Sequence, residues 1–90
     1  MNSIISEKIS YKEVQEVLIA VIKKETYLHE VKLDSTLQNL DIDSLLFAEI
    51  LVNVQNEFDQ DIEIEKYLAK EVSSPAVKNV VEALYKALNV

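Results

Sequence analysis

The sequence predicts an all-α fold of four helices, with a long connection after the first helix and a short third one. Three observations carry that prediction. Apolar residues recur at helical spacing in separate stretches, whereas strand-like alternation extends no further than residues 61–65. Helix-start chemistry precedes the main stretches, at Ser10, at Asp43-Ser44 and at Ser74-Pro75. Ninety residues with 49% hydrophobic content make one domain with one core. Folding at this length buries only about 60–65% of the unfolded chain's surface. Residues 1–90 therefore read as a single domain, ordered over about residues 10–88.

Ser10-Tyr11-Lys12-Glu13 fits a capping box, with Ile9 and Val14 placed as its hydrophobic staple. Tyr11, Val14, Val17, Leu18, Val21 and Ile22 then fall at helical spacing, giving a first helix to about Glu25. Residues 26–43 lose the period and read as a connection, with Leu28, Val31, Leu33, Leu37 and Leu40 as anchors on the core. A structureless loop of that length is unusual in a small domain, so a helical turn is expected near residues 35–39. Asp43 or Ser44 caps a second helix running to about Phe58. A weaker third helix is expected within residues 64–71. Ser74 as N-cap and Pro75 at the first helical position start the last helix, buried through Val77, Val80, Val81, Leu84, Tyr85 and Leu88. The chain has no glycine, so its left-handed turns fall to Asn39, Asp41, Asn56 and Asp59.

Composition excludes several function classes. Without cysteine there are no disulfides, thiolate metal sites or thiol catalysis. Residues 1–10 lack a basic stretch followed by an apolar run, so they are not a signal peptide. No stretch approaches the roughly 18 apolar residues that span a bilayer. A soluble, cytoplasmic protein, monomeric when free, is expected. The net charge of −7 is concentrated: residues 41–71 carry nine acids against Lys66 and Lys70, a net of −7, while the flanking stretches nearly balance. Such a field repels nucleic acid and steers basic protein surfaces toward this segment. His29, the only histidine, has no second His or Cys to complete a site. Asp59, Asp61, Glu63 and Glu65 lack the glycine and spacing of a calcium loop and read as a solvated rim, so no metal site is expected. Tyr11, Tyr27, Tyr67 and Tyr85 read as packing residues whose hydroxyls reach water.

The second helix has two apolar faces. On a helical projection, Phe47, Ile50, Leu51, Val54 and Phe58 cluster within about 100° of arc, a core-facing stripe. Leu45, Ala48 and Val52 cluster on the opposite side beside Glu49, where an ordinary surface helix is polar. An apolar strip bordered by acid suits a helix that packs inward on one side and docks a partner on the other. The alternative is that the third helix or the long loop covers the strip.

Ser44 opens this helix from Leu37-Gln38-Asn39-Leu40-Asp41-Ile42-Asp43-Ser44-Leu45. Most serines at a helix start only cap it. Here a long loop after a capped helix, an acidic two-faced helix, Asn56-Glu57-Phe58 and an apolar last helix surround it. The whole pattern resembles the acyl carrier protein family, including peptidyl carrier domains, over nearly all of the chain. The resemblance implies a four-helix bundle of the acyl-carrier type and a non-catalytic role. It implies that Ser44 carries a covalent 4′-phosphopantetheine arm, attached from coenzyme A by a phosphopantetheinyl transferase with a divalent metal. The arm's thiol would hold acyl or aminoacyl groups as thioesters. By the same resemblance Asp43 helps present Ser44 and the metal to the transferase. With the outer strip of the second helix, Leu45, Ala48, Glu49 and Val52, it makes the expected docking surface. An acyl chain would shelter around Leu51, Ile62 and Leu68. The implied partners are the transferase, an acyl- or aminoacyl-loading enzyme, and condensing or tailoring enzymes with basic and apolar docking surfaces.

Two departures from the family pattern stand out. Asp41 occupies the position where the family usually has glycine, which adds a charge and a Cβ at a tight turn. Leu46 and Phe47 follow Ser44-Leu45 where fatty-acid-type carriers place acidic or small polar residues. This favours a discrete carrier for polyketide, nonribosomal peptide or related secondary-metabolite biosynthesis over a carrier of fatty-acid synthesis. The rival from another class is an unmodified helical adaptor that uses the two-faced helix only for binding. A hydrolase built on Ser44 fails, because no base or third triad member is evident.

Overall fold

The computed structural model describes residues 9–68 and 74–89. Within them lie three α-helices and one 3-10 turn: α1 (Tyr11–Thr26), α2 (Ser44–Phe58), the turn Ile64–Lys66 and α3 (Val77–Leu88). The expected third helix is thus a single 3-10 turn among the described residues, and residues 69–71 of its expected range lie outside them. Ile64 of that turn is buried, and Tyr67 and Leu68 after it pack half-buried on the core, their N–H groups both donating to Ile64 O. No sheet forms among the described residues; an isolated antiparallel bridge joins Thr36 to Ala76.

Helix α1 begins with the serine half of its expected capping box; the return bond from the Ser10 N–H to the Glu13 carboxylate does not form among the described residues. Ser10 is extended, and its Oγ accepts the Glu13 N–H at 3.1 Å. Ile9 packs on the core, to which the fully buried Val14 belongs. Val14, Leu18, Val21 and Ile22 form the inner face of α1. This helix is central, packing against both α2 and α3, while the 3-10 turn packs on α3. The core is apolar throughout: no polar or charged described residue is buried.

Helix α3 starts later than expected. Ala76, not Ser74, is the N-cap residue, and Pro75 precedes the helix. Alanine has no side-chain acceptor, and Asn79 compensates by reaching back, its Oδ1 accepting the Ala76 N–H at 2.9 Å. Ser74 and Pro75 are drawn instead toward the long loop. The Pro75 carbonyl accepts the Leu37 N–H, and Ser74 Oγ accepts that of Gln38. Val77 and Lys78 donate to the carbonyls of Ser35 and Leu33, and Lys78 Nζ meets Asp34 Oδ1 at 3.2 Å. These bonds pair residues 33–38 with 74–78 side by side and hold the long connection against the start of α3.

Of the expected loop anchors, Val31 and Leu37 are buried and Leu33 and Leu40 half-buried, but Leu28 is exposed. Ile42 supplies a further buried anchor. The four tyrosines divide. Tyr11 and Tyr85 meet edge to face at 5.4 Å and Tyr67 packs on the core, whereas Tyr27 stands 86% exposed.

Each left-handed residue among the described ones sits just past a helical segment: Tyr27 (φ 62°), Asp41 (φ 62°) and Asp59 (φ 54°). After α2, Asp59 and Gln60 donate to Asn56 and Gln55, the paired bonds of a Schellman close. After α1, Tyr27 donates to Lys23, the simpler single-bond close. Asp41 and Asp59 were legible as turn residues; Asn39 and Asn56 keep negative φ, and Tyr27 carried no such signal.

Candidate functional site

The segment before Ser44 is built turn by turn. Thr36 and Asn39 bond reciprocally, Asn39 N–H to Thr36 Oγ1 at 3.0 Å and Thr36 N–H to Asn39 Oδ1 at 3.5 Å. They start one helical turn, the one expected near residues 35–39, in which Leu40 N–H donates to Thr36 O. It closes as a Schellman motif: Asp41 N–H donates to Gln38 O at 3.0 Å and Ile42 N–H to Leu37 O at 2.9 Å. Asp41 is the left-handed residue of that motif, the position glycine fills most readily. Aspartate accepts the geometry through its short polar side chain, so the turn survives without glycine.

Ile42 then turns into the core and anchors the chain immediately before α2. Asp43 is extended (φ −84°, ψ −178°), and its Oδ1 accepts the Leu46 N–H at 2.8 Å. Phe47 N–H closes the first helical turn on Asp43 O. Asp43 is therefore the cap, and Ser44 is the first residue of the helix. The Ser44 side chain is exposed, and its hydroxyl takes no part in hydrogen bonding among the described residues. A cap that Asp43 already supplies leaves the serine oxygen unemployed.

The backbone at this point favours an anion, beside the carboxylates of Asp41 and Asp43. The N–H groups of Ser44 and Leu45 lack intramolecular partners among the described residues, and they lie at the positive end of the α2 dipole. The first turn of α2 contains no acid. A phosphodiester on Ser44 would meet free amides at a helix start, with solvent on its outer side. The residues present thus fit such a group.

The expected docking residues emerge on one face. Leu45 is 72% and Val52 52% exposed, and Ala48 and Glu49 are exposed between them. With Asn53 they line a shallow apolar concavity of about 300 Å³. Neither the 3-10 turn nor the long loop covers the strip. The expected shelter residues Leu51, Ile62 and Leu68 are each half-buried against the core. Gln55 Oε1 accepts the Ile62 N–H at 2.9 Å and ties the chain after α2 back to that helix. No Cα of α2 comes within 8 Å of the 3-10 turn or of α3.

Elsewhere, a hydrogen bond from Lys66, reinforced by its charge, holds the exposed Glu63 carboxyl below its ordinary range and raises Lys66. His29 is exposed. Among the described residues no group of three or more His, Cys, Asp or Glu is arranged to hold a metal ion. No helix among them is long and apolar enough to cross a membrane.

Comparison with known proteins adds to this geometry. Residues 16–84 match the family described as the phosphopantetheine attachment site. The chain belongs to that family. Acyl carrier proteins of Streptococcus pyogenes serotypes M3 and M1 are each 36% identical to this carrier over 58 residues, 64% of this chain and 76% of theirs. The acyl carrier protein of Streptococcus thermophilus strain CNRZ 1066 is 34% identical over the same length. No solved structure matches at a comparable level. The protein is a non-catalytic carrier with a 4′-phosphopantetheine prosthetic group, received from a phosphopantetheinyl transferase. The adaptor reading, which leaves the chain unmodified, is set aside by this membership.

Two structural features escaped the sequence reading. The Thr36/Asn39 pair carried a legible signal, a Thr-x-x-Asn spacing before a turn. The second feature is a groove between α1 and α2. Its α1 wall falls partly on the stripe read as core, because helical spacing does not say where a neighbouring helix ends.

Proposed function

We propose that Ser44 is the attachment residue, and that the carrier presents it on the exposed face of α2. The observation that carries this reading is the division of labour at the helix start: Asp43 caps, and the adjacent Ser44 hydroxyl is exposed and unbonded among the described residues. Asp43 serves attachment as well, by fixing Ser44 at the first helical position and keeping a second carboxylate oxygen, without a partner among the described residues, for the transferase's metal. When bound, the arm supplies a thiol for thioester chemistry, which this cysteine-free chain lacks. The protein's own contribution is to hold, orient and dock.

Docking falls to Leu45, Ala48, Glu49 and Val52, beside Asp43. They offer partner enzymes an apolar strip with an acidic edge, suited to surfaces that pair apolar side chains with Lys or Arg. Leu51, Ile62 and Leu68 would shelter an acyl chain at the seam beyond α2. Unchanged chemical shifts at these three residues on acylation would exclude that shelter.

For the pathway, we favour a discrete carrier serving polyketide, nonribosomal peptide or related secondary-metabolite enzymes. Support comes from the acid-free first turn of α2. Leu46 and Phe47 contribute by packing rather than by docking, since both are half-buried on the core. The second reading, a carrier of fatty-acid synthesis, draws on the similarity to acyl carrier proteins.

The test is intact mass after incubation of the apo protein with coenzyme A, magnesium and a phosphopantetheinyl transferase. Wild type should gain one phosphopantetheinyl group and Ser44→Ala none. A gain in Ser44→Ala would overturn the assignment.

A further inference from the structure

The exposed strip of α2 does not end at the edge of its helix. At Asn53 it meets a groove of about 290 Å³ between α1 and α2, lined by Glu16, Val17, Ala20, Val21, Lys24, Asn53 and Glu57. Asn53 belongs to both concavities, so the two form one continuous surface. Its amide donates to Glu25 Oε2 at 3.2 Å and to Glu49 O at 3.0 Å, which fixes the boundary between them. Ala20 is exposed on the α1 wall and contributes only a methyl group; a larger side chain there would occupy the groove.

We propose that the phosphopantetheinyl transferase reads this carrier on two helices, seating an apolar side chain flanked by basic residues in the α1–α2 groove. The proposal rests on the reading that Ser44 and the α2 strip face the transferase. Reach supports it first. Asn53 lies nine residues after Ser44, about 13 Å along the helix axis, within the footprint of an enzyme that reaches Ser44. Charge supports it second. Glu16, Glu49 and Glu57 border the continuous surface against Lys24, while Val17, Ala20 and Val21 give its floor apolar character. An apolar anchor with neighbouring cations complements that arrangement, and an acidic one is repelled.

A contact this far from the reacting hydroxyl should act on binding and leave the chemical step alone. The test is steady-state kinetics of phosphopantetheine transfer from coenzyme A by a purified transferase. The substrates are wild type, Ala20→Trp, the charge reversal Glu16→Lys/Glu57→Lys, and Leu45→Asp, each checked for native circular dichroism. Ala20→Trp should raise the KM for the carrier at least five-fold with kcat unchanged. The charge reversal should raise KM and flatten its dependence on salt. If Ala20→Trp and the charge reversal both stay within two-fold of wild type while Leu45→Asp raises KM, the groove proposal fails and the α2 docking reading survives. If Leu45→Asp also leaves KM unchanged, both fail. A fall in kcat at unchanged KM for Ala20→Trp would likewise overturn the groove contact.

Discussion

Ile50 and Leu45 stand five residues apart on one helix and meet opposite fates. Ile50 and its neighbour Val54 are sealed against the core, while Leu45 and Val52 stand in solvent on the other face. The residue types are the same, so composition does not separate the faces; the position of α1 does. Helix α3 shows what folding alone requires. It buries Val77, Val80, Val81, Ala83, Leu84 and Leu88, and its exposed positions include Lys78, Asn79, Glu82 and Lys86. Against that pattern, the outer apolar strip of α2 is surface that folding leaves unused. Its continuation from Ser44 is what supports the docking role proposed for it.

Truncation should separate the two faces most clearly. Ile50→Ala should destabilise the domain by about 2–5 kcal/mol in denaturant unfolding, through lost burial and the cavity left behind. Leu45→Ala should stay within about 0.5 kcal/mol. Comparable losses at both positions would show that the outer strip is part of the core and would remove the docking argument.

The ends of the helices sharpen the comparison, since residues there act through backbone conformation and belong to neither face. Tyr27→Gly should stabilise the domain by about 1 kcal/mol, because its exposed ring contributes little packing and its left-handed backbone opposes a Cβ. A loss of thermal stability in this variant would show that the ring packs after all. The smallest effect is expected at the Glu63–Lys66 pair, where both side chains are largely exposed. With the Glu63 value lowered in the fold, any advantage over Glu63→Gln is present above the ordinary glutamate range and fades as the pH falls through the lowered value. Melting temperatures of wild type and variant should coincide in high salt. A gap that persisted there would give the 3-10 turn a larger part in stability than its exposure allows.

Much of this organisation was legible in the residues themselves. The Ser10 cap, the inner stripes of α1 and α3, the extent of α2 and the exposed strip beside Ser44 follow from spacing and cap chemistry, which are local. What was missed depends on partners distant in sequence. Ser74 and Pro75 have the chemistry of a helix start, yet their bonds to Gln38 and Leu37 draw them to the loop, and Asn79 rescues the cap at Ala76. Tyr27 takes a left-handed turn because α1 must end there, a demand its side chain does not announce. The groove exists only where α1 and α2 come together, Ala20 on one wall and Asn53 on the other. Spacing placed Ser44 at a helix start; only the hydrogen bond from Leu46 to Asp43 showed which of the two adjacent residues caps and which is left free.

The central claim is that the free residue is the modified one. Peptide mapping by tandem mass spectrometry of the holo protein tests it directly. The account predicts the phosphopantetheinyl group on the peptide containing Ser44, with fragments placing it on that residue. A group found on Ser35, Ser74 or any other serine would contradict it.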